Sequence, residues 1–154
     1  MTNVIQSFLE GSGADHRGRK LEDILKFDDS ALESVHDYIQ WLFPLPEQSA
    51  FNPHAPVLSA GDIAALKASS VAKANLVRAA RRMEGFYERN KGWLAYRDHN
   101  HLRITRIIRS LLLLAGGNEA QHFRDKIERL VESAGNPVAS EARRYWKDAM
   151  TEHD

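Results

Sequence analysis

DHNHLRITRIIRSLLLLAGG, residues 98–117, decides the fold class. Its apolar residues Ile104, Ile107, Ile108, Leu111, Leu112 and Ala115 recur at three- and four-residue spacing, the period of one helix face. His99, Arg103, Arg106 and Arg109 line the opposite side. Asp98 is a capping residue for a helix over His99 to Ala115, and Gly116-Gly117 closes it. Leu113 and Leu114 interrupt the polar stripe, so the last turn is apolar all round and is expected to lie centrally.

The same period extends in both directions. Upstream, a helix from about Ser70 to Asn90 presents Val71, Leu76, Ala79, Ala80, Met83, Phe86 and Tyr87 to a core. Arg78, Arg81, Arg82 and Arg89 fall in roughly a 100° sector on its other side. Gly92, Trp93 and the residues to Arg97 read as a turn. Ser59 caps a shorter helix over Ala60 to Lys67. Downstream, Asn118 and Gln121 resemble a capping box for Phe123, Ile127, Leu130, Val131 and Ala134. Asn136-Pro137 reads as an N-cap and first helical residue for Val138, Ala142, Tyr145, Trp146 and Met150.

Toward the N-terminus, Asn3 to Glu10 is expected to turn Val4, Ile5, Phe8 and Leu9 inward, before a glycine-broken polar loop at residues 16–20. Leu21, Ile24 and Leu25 form one amphipathic segment. Leu32, Val35, Ile39 and Leu42 form a second, capped at Asp28 to Ser30 and ended at Phe43 by Pro44. Pro44, Pro46, Pro53 and Pro56 then make the stretch to Ser59 extended, and Leu45, Phe51, Val57 and Leu58 pack it across the helices. No strand alternation, repeat or low-complexity tract is present. The expectation is an all-α, single-domain bundle of about six or seven helices over residues 1–154, with a proline-rich extended segment at 44–58.

With 43% hydrophobic and 27% charged residues, the 154-residue chain has an ordinary globular balance. It contains no cysteine, which excludes disulfides, iron–sulfur clusters, thiol nucleophiles and cysteine-ligated zinc, and suits a reducing compartment. No signal peptide is visible, and the apolar run Leu111 to Ala115 is too short for a bilayer. A soluble cytoplasmic protein is expected. Net charge is zero but uneven: −6 over residues 1–66, +8 over 67–109 and −2 over 110–154. The basic middle could meet nucleic acid, an acidic partner, a second copy, or the chain's own acidic N-terminal part.

Two constellations stand out. Tyr38, Trp41, Phe43 and Phe51, with Gln40, Asn52 and the intervening prolines, could form a peptide groove. Trp41 and Tyr38 would stack on the ligand and Gln40 would bond its backbone. On this reading Trp41→Ala abolishes binding and spares the fold; alternatively the segment is a helix end locked into the core. The second is the set Arg78, Arg81, Arg82, Arg103, Arg106 and Arg109, which could hold a phosphate backbone or acidic partner, or be a solvated, salt-bridged face. The seven histidines show no metal-ligand spacing, and no serine has a nucleophile-elbow context. Neither enzyme activity, metal nor cofactor is expected.

The segment His36-Asp37-Tyr38-Ile39-Gln40-Trp41-Leu42-Phe43-Pro44-Leu45, continuing through Ser49, Asn52 and Ala55-Pro56, resembles the signature of the opioid growth factor receptor conserved domain. Arg82-Met83-Glu84-Gly85-Phe86-Tyr87 and Leu102 to Leu111 look like later blocks of that family in the same order, so the resemblance covers residues 20–133. It implies a non-catalytic binding domain whose family ligand is Met-enkephalin. Vertebrate members act in the nucleus or at its envelope and are unlike seven-helix opioid receptors. Without the long C-terminal repeat region, the chain looks like a short bacterial member.

Overall fold

A computed structural model describes residues 4–49 and 52–151. The protein is all-α: nine helices and two isolated β-bridges, with no named strand, are found among the described residues. None of these helices is long and apolar enough to cross a membrane. The chain organises into two units, one up to Ala79 and one from Ala80 onward, and each has its own core.

In the first unit, α1 (Val4–Leu9) buries Ile5, Phe8 and Leu9 but leaves Val4 62% exposed, contrary to expectation. A helix of under two turns has room for a single inward stripe. The chain leaves α1 through Gly11 at φ 90°, with Gly11 N–H donating to the Phe8 carbonyl and Ser12 N–H to that of Ser7, a Schellman closure. Gly13 follows so closely that a Cβ there would lie 2.6 Å from the Ser7 Cβ. Next come α2 (Leu21–Leu25), α3 (Asp29–Ser34) and α4 (Ile39–Leu42). Asp28 caps α3 by accepting from the Ala31 N–H at 2.8 Å. The single helix expected from Leu32 to Phe43 is broken, because Val35 is extended (φ −85°, ψ 131°). The break adds one helix to the count.

The proline-rich segment leaves α4 at Phe43 and returns beside itself. Leu45 and Val57 form a parallel bridge, and Leu58 N–H donates to the Leu45 carbonyl at 3.0 Å. Ser59 caps α5 (Ala60–Ala68), as the sequence predicts, and does so through a reciprocal box with Asp62. α6 (Ser70–Arg89) gives its first turns to this unit, burying Ala72 and Leu76 while Val71 stays exposed. Its Asn75 amide donates to the Leu9 carbonyl at 2.8 Å and so satisfies an orphan acceptor at the end of α1. Phe8, Leu21, Ile24, Leu32, Tyr38, Phe43 and Leu76 fill the core, each contributing about 1.5–3 kcal/mol by burial.

In the second unit, α7 (Asn100–Leu114) packs against α8 (Gly117–Ser133) and α9 (Ser140–Ala149), with Ile104, Ile107, Ile108 and Leu111 fully buried. Asp98 accepts from the Asn100 N–H at 2.9 Å. Gly116, at φ 108°, bonds back to the Leu111 carbonyl. Since α8 starts directly after it, the Asn118/Gln121 box does not form; Gln121 instead donates to Asp125. Asn136 does not cap α9 either. It adopts φ 58° and closes α8, its N–H donating to the Val131 carbonyl while Gly135 N–H donates to that of Glu132. α9 therefore begins at Ser140, which buries Trp146 and Ala149 and turns the expected core residue Tyr145 outward.

Candidate functional site

The aromatic segment around Trp41 lies at the meeting of α1, α4 and two loops of the first unit. Trp41 is only 5% exposed, its ring edge-on to Phe8 (centroids 5.3 Å, 63°). Its indole N–H donates to His16 Nδ1 at 3.1 Å. That bond needs the Nδ1 lone pair, so the His16 proton sits on Nε2, which faces Asp37 at 3.4 Å. The His16 ring lies near-parallel to Trp41 (6.1 Å, 11°) and stacks on His54 (5.4 Å, 14°). His54 itself is exposed, so the Trp41 ring reaches the surface through two imidazoles.

The loop at residues 14–20 is ordered by charge. Its ends form an antiparallel bridge between Ala14 and Lys20. The fully buried Asp15 carboxylate accepts from the backbone N–H groups of Arg17 and Arg19 (2.9 Å each) and from Arg19 Nε at 2.7 Å. Arg19 Nη2 continues to Asp37 at 3.0 Å, and Arg17 Nε reaches Asp37 at 2.6 Å. Burial alone would raise the Asp37 carboxyl; the Arg19 hydrogen bond and the charges of Arg19 and Arg17 outweigh it and hold the group below its ordinary value. A depressed folded-state value means stabilisation that is present above the unfolded aspartate value and lost as pH falls through the lower folded one. The stability gap between the protein and Asp37→Asn, followed by urea unfolding from about pH 6 to about pH 2, should therefore close on acidification. A gap that stays constant would rule out that linkage.

Of the residues singled out by sequence, Gln40, Trp41 and Asn52 come together. Asn52 Nδ2 donates to Gln40 Oε1 at 3.4 Å, and Asn52 Oδ1 accepts from the His54 N–H at 3.1 Å, which carries His54 toward His16. Tyr38 and Phe43 are fully enclosed. The Tyr38 hydroxyl donates to the Leu32 carbonyl at 2.6 Å and its ring meets Phe27 edge-on, so neither ring offers a face to a ligand. Phe51 lies outside the described residues. Sequence reading missed His16, Asp37 and His54 as a cluster. Their separations of 17 to 38 positions leave no periodic signal, and only the glycines bounding residues 13–18 hint at a shaped loop.

The arginines do not form an open cationic stripe. Arg78 makes a two-pronged pair with Glu22 (2.6 and 3.1 Å) in the first unit. In the second, Arg81 pairs with Glu84 (3.0 Å) and Glu119 (2.9 Å), and Arg103 is buried rather than on the polar side of α7. Arg82, Arg106 and Arg109 are half-buried and also engaged within the fold. No three His, Asp or Glu side chains among the described residues gather as a metal group.

Residues 17–92 match the family model described as opioid growth factor receptor (OGFr) conserved region. Among relatives, the mouse opioid growth factor receptor is 41% identical over 115 residues, covering 61% of this chain and 18% of its own length. The human receptor is 38% identical over 130 residues, 71% of this chain and 18% of its own. Opioid growth factor receptor-like protein 1 of Xenopus tropicalis is 35% identical over 114 residues, 61% of this chain and 22% of its own. The alignments thus span about a fifth of these relatives, which are vertebrate proteins and lend the expected bacterial source no support. No solved structure matches.

Proposed function

Since residues 17–92 make this chain a member of the opioid growth factor receptor conserved-region family, we propose that it is a non-catalytic domain recognising a peptide or protein segment, with Met-enkephalin as the family ligand. The observation supporting this reading is the exposed His54–His16 stack, hydrogen-bonded at its inner ring to the Trp41 indole beside Asp37 and Arg17. Stacked imidazoles offer aromatic area at low entropic cost, and the neighbouring carboxylate and guanidinium suit the two charged ends of a short peptide. In this reading Trp41, Gln40 and Asn52 hold the imidazoles in place, while Tyr38 and Phe43 anchor the segment to the core. Of the arginines named from sequence, Arg78 and Arg81 stand outside this reading, their charge met by carboxylates at Glu22, Glu84 and Glu119.

An amide chemical-shift titration of the labelled protein tests the proposal, with Met-enkephalin run against a scrambled peptide of the same composition. Selective, saturable shifts at His16, Arg17, Asn52 and His54, reduced in His54→Ala, are the expected result. Equal responses to the two peptides would defeat it.

A further inference from the structure

Tyr96, Leu102 and Tyr145 are 65%, 61% and 55% exposed, and all three line one groove of about 230 Å³ in the second unit. They come from the turn before α7, from α7 itself and from α9. The groove is built before any ligand arrives. Ala139 N–H donates to the Tyr96 carbonyl at 3.1 Å, His101 Nε2 is bonded to the Trp93 carbonyl at 2.8 Å, and the Trp146 indole holds the His101 carbonyl at 3.1 Å. Its volume is below the ~300 Å³ at which pockets begin to enclose small molecules and cofactors. It suits side chains presented by a peptide. The groove lies wholly outside residues 17–92 and away in sequence from the imidazole stack.

Charge selects among peptides. The lips carry the carboxylates of Asp98 and Glu141, and the one lining arginine or lysine is Arg97. Arg97 places its guanidinium 5.3 Å from the Tyr96 ring centroid and 3.4 Å from Glu141, with its side chain 71% exposed. An intramolecular cation therefore already occupies a seat made of a tyrosine face and a carboxylate. A surface pair held this loosely is worth little and is easily exchanged. We propose that this groove docks a peptide segment carrying a basic side chain next to an aliphatic one. The ligand's cation takes the Arg97 position between Tyr96 and Glu141, and its aliphatic neighbour covers Leu102, Ala142 and Tyr145.

The test uses the full labelled chain with acetyl-Gly-Leu-Arg-Leu-Gly-amide and a control peptide with glutamate in place of arginine. Saturable shifts at Tyr96, Leu102, Ala142 and Tyr145 are expected with the basic peptide, at least about tenfold weaker with the acidic one. Glu141→Gln should weaken binding about fivefold, whereas Arg97→Ala should tighten it about two- to fivefold by vacating the seat. Both substitutions sit on exposed side chains, so the fold is retained. The proposal is overturned by absent shifts, by equal shifts with the acidic peptide, or by weaker binding in Arg97→Ala. Shifts of these residues on raising protein concentration alone would also overturn it, since the groove would then be covered by a second copy.

Discussion

Asp15→Ala is expected to lower the unfolding free energy by about 3–5 kcal/mol, the usual result of orphaning one partner of a buried pair. The carboxylate is fully enclosed and satisfies three donors at once: the backbone N–H groups of Arg17 and Arg19, and Arg19 Nε. Alanine leaves all three unmet and removes the counter-charge nearest to Arg19, whose side chain is itself largely buried. Asp15→Asn keeps the shape and one acceptor but turns an amide N–H toward Arg19, so much of the loss should remain. A double variant, Asp15→Ala with Arg19→Met, identifies the cause. If the uncompensated guanidinium dominates, adding the second change recovers part of the loss; if the backbone donors dominate, it makes matters worse. Urea unfolding curves read all three, and a loss under about 1 kcal/mol for Asp15→Ala would place this cluster with ordinary surface pairs.

That cluster also shows where sequence reading stops. The long helices were legible because each carries a full apolar stripe, as in Ile104, Ile107, Ile108 and Leu111. The Ser59 cap was legible because a serine stands directly before the first helical residue; its reciprocal partner Asp62 emerged only in the structure. Local rules failed where a distant or competing partner prevailed. Leu32, Val35, Ile39 and Leu42 have helical spacing, yet the chain opens at Val35, and Asp37 is drawn to Arg17, Arg19 and His16 across more than fifteen positions. Asn136 has an N-cap's chemistry but is used to close the preceding helix, an outcome favoured by Gly135 at φ 85° beside it. That choice delays α9 and exposes Tyr145, so the groove of the second unit could not be read from periodicity. The aromatic-proline segment was found as a unit because its residue types are unusual; which of its rings face outward depends on packing that spacing does not encode.

Trp41 separates structural from recognition roles only if the substitution is chosen by volume. Trp41→Ala removes a ring that is 5% exposed, packed on Phe8 and bonded to His16. It should cost about 3–5 kcal/mol, as large-to-small aromatic changes in cores do. A loss of peptide binding in that variant would then report loss of the first unit's fold. Trp41→Phe keeps most of the buried area and the edge contact with Phe8 but deletes the indole N–H, at an expected cost of about 1–2 kcal/mol. Helical circular dichroism should be unchanged, while His16 loses the bond that fixes its tautomer and ring orientation. If the imidazole stack is the recognition surface, Met-enkephalin-induced shifts in Trp41→Phe should weaken together with those in His54→Ala. Undiminished binding in Trp41→Phe, alongside a destabilised Trp41→Ala, would make the indole a core residue alone and move the peptide site away from the stack.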